Sequence, residues 1–324
     1  MFTSLGKIFP RGKSIIILSL LFFLVIPIFA SSYILHVLIM IFIFAYLGGT
    51  WNILGGYAGQ FSFGHAALCG IGAYTSTILF VNWGISPWIG LAAGCFLGLL
   101  FGLFTGLITF HYKLKGVYFT FTTLAFAELL KLIFLNWDFV GGAVGVLIPL
   151  TGNSVRQFQF TSKVPYYYIS FFMVIVIVWL TSKLEKSKLG DFFMAIREDE
   201  DAAESLGVDT VRFKLIAICI TSSLAPAIGT FYAQYLTYVQ PDFIIGVDIS
   251  IQSVITVIIG GMGTIWGPFL GAIILGPTSE ITRIFFQKYA SLHLVIYGVI
   301  LVVVIMFLPH GVLGGLRKIR GRWR

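Results

Sequence analysis

Residues 181–214 read TSKLEKSKLGDFFMAIREDEDAAESLGVDTVRFK, and they form the one long polar interruption in an apolar chain. The protein carries 21 Lys and Arg and 13 Asp and Glu; this stretch holds six of the first and eight of the second. Within it, residues 191–206 read as two short helices, and Gly207 stands where a helix would stop. A segment this charged lies outside hydrocarbon and offers itself to a soluble partner.

The flanks fix the setting. With 58% hydrophobic residues, 10% charged residues and a mean hydropathy of +0.97, the chain is not a soluble domain with a polar surface. A hydrocarbon core about 30 Å thick takes about 20 apolar residues per helix. Apolar runs predict about ten spans, near 15–30, 33–53, 60–80, 86–109, 118–136, 166–181, 213–238, 249–261, 267–282 and 292–308. The expected fold is therefore an all-α, polytopic membrane protein, with residues 1–324 as a single transmembrane domain.

Lys7, Arg11 and Lys13 precede the first run like the charged region of a secretory signal. Ile28, however, stands three residues from Ala30, where cleavage needs a small residue, and another span comes directly after, so the first helix is expected to be retained. Placing the amino terminus in the cytoplasm puts sixteen Lys and Arg inside, including Arg317 to Arg324. Four, Arg156, Lys163, Arg283 and Lys288, fall outside, and Lys131 lies within a span. Both termini and the 181–214 loop are then cytoplasmic, the loop near 137–165 external, and the basic end faces anionic lipid rather than nucleic acid.

Glycine recurs in three patterns. Residues 55–66 read GGYAGQFSFGHA, continuing GIGAY at 70–74; Gly90, Gly94, Gly98, Gly102 and Gly106 recur every four residues; residues 260–268 read GGMGTIWGP. The second pattern leaves one helix face almost bare, as close helix packing in lipid requires. The third parts two apolar runs that look short for straight crossings, so a broken or re-entrant segment lining a pathway is expected there. Gln60, Ser62, His65, Gly261 and Gly263 are candidate pathway residues. Glu128 joins them, paired three residues on with Lys131 on one helix face; a lone charge at bilayer depth costs about 3 kcal/mol.

Some chemistry is absent. Gly12-Lys13-Ser14 ends like a phosphate-binding loop, but Lys7 occupies the place of the glycine five residues earlier. The five histidines form no metal-binding spacing, and Cys69, Cys95 and Cys219 lie singly in apolar runs. No catalytic arrangement emerges, and neither a metal nor a cofactor is expected in this chain.

Asp201-Ala202-Ala203-Glu204-Ser205-Leu206-Gly207 resembles the cytoplasmic coupling motif of ABC-importer permeases. That motif continues to Ile-x-Leu-Pro, where this chain has Ala217-Ile218-Cys219-Ile220. Residues 55–66 resemble the Gly-Tyr-x-Gly-Gln-x-Ser-x-Gly-His segment of the LivM- and LivH-type branched-chain amino acid permeases. Gly141-Gly142 and the 260–268 pattern match the same family, so the likeness spans nearly the whole chain. It implies a permease subunit of an ATP-driven importer. Two ABC ATPase subunits, carrying the ATP and Mg, would engage Arg197, Glu198, Asp201, Ala202, Ala203 and Gly207. A second homologous permease would complete the membrane part. An extracytoplasmic amino-acid-binding protein would dock on Arg156, Lys163, Arg283 and Lys288. A urea or short-amide permease has similar motifs, and an ion-gradient transporter is the alternative from another class.

Overall fold

The computed structural model describes residues 22–150, 152–285, 298–299 and 311–314. Its helices are α1 (Ser32–Trp51), running on into a π-helical turn over Asn52–Tyr57, α2 (His65–Trp83), α3 (Pro87–His111), α4 (Val117–Leu135), α5 (Lys163–Glu185), α6 (Lys188–Glu198), α7 (Glu200–Ser205), α8 (Thr210–Leu236), α9 (Pro241–Ile244), α10 (Val247–Gly260) and α11 (Gly267–Phe285). Residues 22–29 are also helical. The only strands among the described residues, β1 (Val146–Leu147) and β2 (Tyr238–Val239), pair antiparallel, Val146 opposite Val239.

Among the described residues, seven segments are long and apolar enough to cross a membrane: Ser32–Tyr57, His65–Trp83, Pro87–His111, Val117–Leu135, Lys163–Glu185, Thr210–Leu236 and Pro241–Gly260. They coincide with the second to eighth expected spans, so the protein is an all-α, multi-pass membrane protein. The described residues thus carry seven such crossings, where about ten were expected for the chain. The ninth expected span is α11, apolar over Gly267–Thr278. Of the first only its 22–30 portion is described, and the tenth lies almost wholly outside the described residues.

The expected break at 260–268 is present as a turn over residues 261–266 that joins α10 to α11. Asp242 and Asp248 read as loop residues in the sequence, yet they occupy the first turns of α9 and α10, where an acid complements the helix dipole. The crossing therefore begins at Pro241 and reaches 20 residues by Gly260.

Two groups of helices share the α1 seam. In one, α2, α3 and α8 pack on one another; in the other, α1 contacts α5, α10 and α11. The first group is knit backbone to backbone. Gly90, Gly94, Gly98, Gly102 and Gly106 all lie on the buried face of α3, while Phe96, Leu100, Leu103, Phe104 and Leu107 face outward. A Cβ on Gly98 would stand 2.6 Å from the Ser222 carbonyl oxygen, and one on Gly72 would overlap the Pro226 carbonyl. Pro226 lies inside α8 and brings no N–H to Ser222, four residues earlier. Gly98 packs over the carbonyl so released.

Helix α4 stands apart: only Phe119, Thr123 and Ala127 are buried. At the end of the bundle where α1 begins, the 137–165 segment is tied down. Ile148 N–H donates to Thr237 O at 2.9 Å, the Tyr238 hydroxyl donates to Val144 O at 2.6 Å, and Trp88 Nε1 donates to Val155 O at 2.8 Å. Helices α6 and α7 cover the opposite end.

The glycine face predicts an assembly defect. Gly98→Leu and Gly102→Leu should each exceed the roughly 1–3 kcal/mol typical of overpacking, seen as loss of monodisperse protein in detergent. Leu100→Ala, on the outward face, should change stability by less than about 0.5 kcal/mol. Wild-type melting behaviour in both leucine variants would show that this face does not carry the packing.

Candidate functional site

The charged stretch folds onto the bundle instead of hanging from it. Ser187 opens α6, its Oγ accepting from Gly190 N–H at 3.3 Å, and Phe193 and Ile196 turn inward. Asp199 ends α6 and opens α7, its Oδ1 accepting from the N–H groups of Asp201 and Ala202 at 3.0 Å. Phe192 stacks on Phe213 of α8 at 4.4 Å. The expected pair of helices is present, the first starting at Lys188 rather than 191.

A charge cluster pins α7. The Lys214 ammonium, its side chain only 2% exposed, lies 2.7 Å from Glu200 Oε1. Lys115, from the turn before α4, reaches the same oxygen at 3.5 Å and Asp201 Oδ1 at 2.6 Å. Breaking a buried pair leaves an uncompensated charge and costs about 3–5 kcal/mol, so Glu200 with Lys214 is the anchor. The exposed Lys115–Asp201 contact is the weaker strap. Its hydrogen bond holds the Asp201 carboxyl below the ordinary aspartate range and raises the Lys115 ammonium above the usual lysine range.

This packing separates the motif residues. Ala203 is buried within the chain, whereas Ala202, Glu204, Ser205 and Gly207 are exposed and Leu206 is 86% exposed. Gly207 adopts φ +88° with no atom within 4 Å of the Cβ it lacks, the left-handed helix stop the sequence predicts. Glu198 is exposed at the end of α6.

Arg197 reaches back into the bundle, its Nη1 donating to Gly56 O at 2.8 Å. Gly56 belongs to the π turn, whose widened winding presents that carbonyl to the guanidinium. Asn52 of the same turn donates to Thr264 O and accepts from Gly263 N–H, both at 2.9 Å. One knot therefore joins α1, α6 and the turn before α11, with Gly263 (φ +69°) beside Arg197. Gly261 and Gly263, expected along a pathway, sit in this knot. Tyr57 adds a hydrogen bond to Glu185 Oε2 at 3.0 Å.

Gln60, Ser62 and His65 are buried just above. Gln60 Nε2 donates to Ala58 O at 3.3 Å, Trp51 Nε1 donates to Ser62 O at 2.7 Å, and Ser62 Oγ accepts from Gly64 N–H at 3.1 Å. Neither ring nitrogen of His65 has a hydrogen-bond partner among the described residues. Ser62 and His65 border a cavity of about 20 Å³, shared with Thr105, Thr123 and Thr221, room for one water rather than an amino acid. Glu128 pairs with Lys131 at 2.6 Å on α4.

At the opposite end, Arg156 is exposed, its backbone oxygen accepting from Ser86 Oγ at 2.5 Å. Lys163 donates to Ser32 O at 3.3 Å and so closes onto its own chain. Arg283 falls in α11 and Lys288 lies outside the described residues.

Sequence reasoning did not single out Asn52, Lys115, Glu200 or Lys214. A lone amide before Gly55-Gly56 and a lysine where a span resumes were the available signals. Of the acids at 198–201 the sequence reading singles out Glu198 and Asp201, and nothing in their order distinguishes Glu200, which turns inward to Lys214.

The family model for the branched-chain amino acid transport system permease component matches residues 33–305. The chain is 27% identical over 294 residues to the LivM high-affinity branched-chain amino acid transport system permease protein of Escherichia coli strain K12, covering 84% of this chain and 68% of that one. It is 23% identical over 264 residues to the probable LivH branched-chain amino acid transport permease protein of Methanocaldococcus jannaschii, covering 75% and 80%. The autoinducer 2 import system permease protein LsrC of Yersinia pestis strain Pestoides F is 24% identical over 203 residues, covering 60% and 56%. No solved structure matches. With the match spanning most of the chain, the protein belongs to the family of branched-chain amino acid transport system permease components.

Proposed function

We propose that this chain is a permease subunit of an ATP-driven importer of branched-chain amino acids in the cell membrane. The observation that carries the reading is the outward face of Ala202, Ser205 and Leu206, presented by helices clamped to the bundle at two separate places. A large exposed leucine beside a short alanine leaves relief for a partner's groove. On this reading the α6–α7 end and both termini face the cytoplasm, and ABC ATPase subunits carrying ATP and Mg dock there. A second homologous permease lies alongside, and an amino-acid-binding protein delivers substrate to the end bearing Arg156.

The two clamps supply the mechanism. Displacement of α6 and α7 by ATPase closure would pull through Arg197 on the π turn and the Gly263 turn. It would also pull through Lys115 on the start of α4. Rigid helices would convert that pull into tilting.

Two predictions test this. Leu206→Asp and Ala202→Arg should abolish leucine uptake and ATPase binding with the chain still in the membrane, and cysteines at Glu198 or Ser205 should cross-link to the ATPase subunit. Ala203→Asp should instead damage the loop itself, because Ala203 packs inward. Cross-links to lipid alone would sink the docking assignment.

The second concerns the strap. A depressed aspartate contributes above its unfolded pKa and loses its contribution as pH falls through the lower folded value. A raised lysine contributes below its unfolded pKa and loses its contribution as pH rises through the higher folded value. Coupling of ATP hydrolysis to uptake should therefore be flat from about pH 5 to about pH 9 as far as this contact is concerned, and Lys115→Glu should weaken it with partial rescue by Asp201→Lys. Equal coupling in wild type and Lys115→Glu would show the strap idle.

A further inference from the structure

Helix α4 carries two charges well inside its span. Glu128 is the twelfth and Lys131 the fifteenth of its 19 residues, so at about 1.5 Å per residue Glu128 lies about 10 Å from the Leu135 end. Their side chains keep 34% and 18% exposure. They sit at the border between the buried stripe of Phe119, Thr123 and Ala127 and the open face of Phe121, Leu129, Leu132 and Ile133. Among the described residues each is the other's only ion-pair partner, so the pair ties α4 to no other helix.

Magnitudes argue against a purely structural role. An intrahelical pair three residues apart returns only a small fraction of what each charge costs at bilayer depth. A lysine this near a helix end could extend to water, yet Lys131 folds back onto the acid. The space beside Ser62 and His65 has room for only one water, while the Glu128–Lys131 border opens outward. One helix turn toward the Lys115 end, the same side of α4 carries Leu124, with Phe121 beyond it.

We propose that Glu128 and Lys131 form an exchange station for the zwitterionic head of an α-amino acid. Glu128 takes the α-ammonium and Lys131 the α-carboxylate, while an apolar side chain lies along Leu124 and Phe121. The exchange adds no net charge, because the incoming zwitterion is itself neutral: one ion pair opens and two form. A free acid or a free amine would leave one protein charge unmatched, and an uncharged amide would leave the pair closed. This rests on the reading of the chain as an amino acid permease subunit and names the part of the substrate that α4 recognises.

The test uses the whole complex with its ATPase subunits and binding protein in liposomes, reading leucine uptake, urea uptake and leucine-independent ATP hydrolysis. E128Q/K131M should assemble and keep its basal hydrolysis while leucine uptake falls at least about tenfold, or about 1.4 kcal/mol. The charge-swapped E128K/K131E should regain a substantial part of that uptake. Wild-type uptake in the neutral pair, or no recovery in the swapped pair, overturns the station. Loss of assembly or basal hydrolysis in the neutral pair assigns the residues to packing and overturns it as well. Wild-type complex that carries urea and no amino acid overturns the functional reading itself, so the two failures are told apart in the wild-type lane.

Discussion

In hydrocarbon a leucine gains nothing by turning from lipid to a neighbouring helix, so the arrangement of this bundle rests on how closely its backbones can approach. The α2, α3 and α8 contact is that approach carried to its limit: glycines of α3 lie against Ser222 and Pro226, and Gly72 lies against the Pro226 carbonyl. Everything else is placed relative to this trio. Helix α1 packs along α8, α5 and α11 pack along α1, and α4 has only its short inward stripe. A tightly keyed block beside a loosely held helix divides the molecule into a part that keeps its shape and a part that can be moved.

The α6–α7 end addresses both parts. Arg197 binds it to the π turn that ends α1, and Asn52 ties that turn in its place to the turn before α11. Lys115 binds it to the turn that enters α4. The charges are graded to suit: Lys214 with Glu200 is buried and costly to break, and Lys115 with Asp201 is exposed and easily exchanged. A loop held this way transmits displacement without coming away from the bundle.

Much of this was legible in the sequence because membrane composition constrains it strongly. Apolar runs located seven spans to within a few residues except where polar residues opened a helix, as Asp242 and Asp248 do for α9 and α10. The four-residue glycine spacing named the buried face of α3, and Asp-Ala-Ala with Gly207 named the short helix of the charged stretch. What order alone could not convey was direction. Ala202 and Ala203 look equivalent in sequence and face opposite ways, and the turn at Gly261 and Gly263 lies against Arg197 and Asn52. Lys115 and Glu200 lie 85 positions apart in the chain, and only the fold brings them together.

The π turn at Asn52–Tyr57 adds a point about winding. Such a turn holds one residue more than an α-helix would place in the same rise. Deleting a single residue there would let the coil retighten into an α-helix over the same rise, leaving the downstream chain close to its place. The Gly56 carbonyl would lose the widened winding that presents it to Arg197. The extra residue therefore serves the contact with α6 rather than the length of the span.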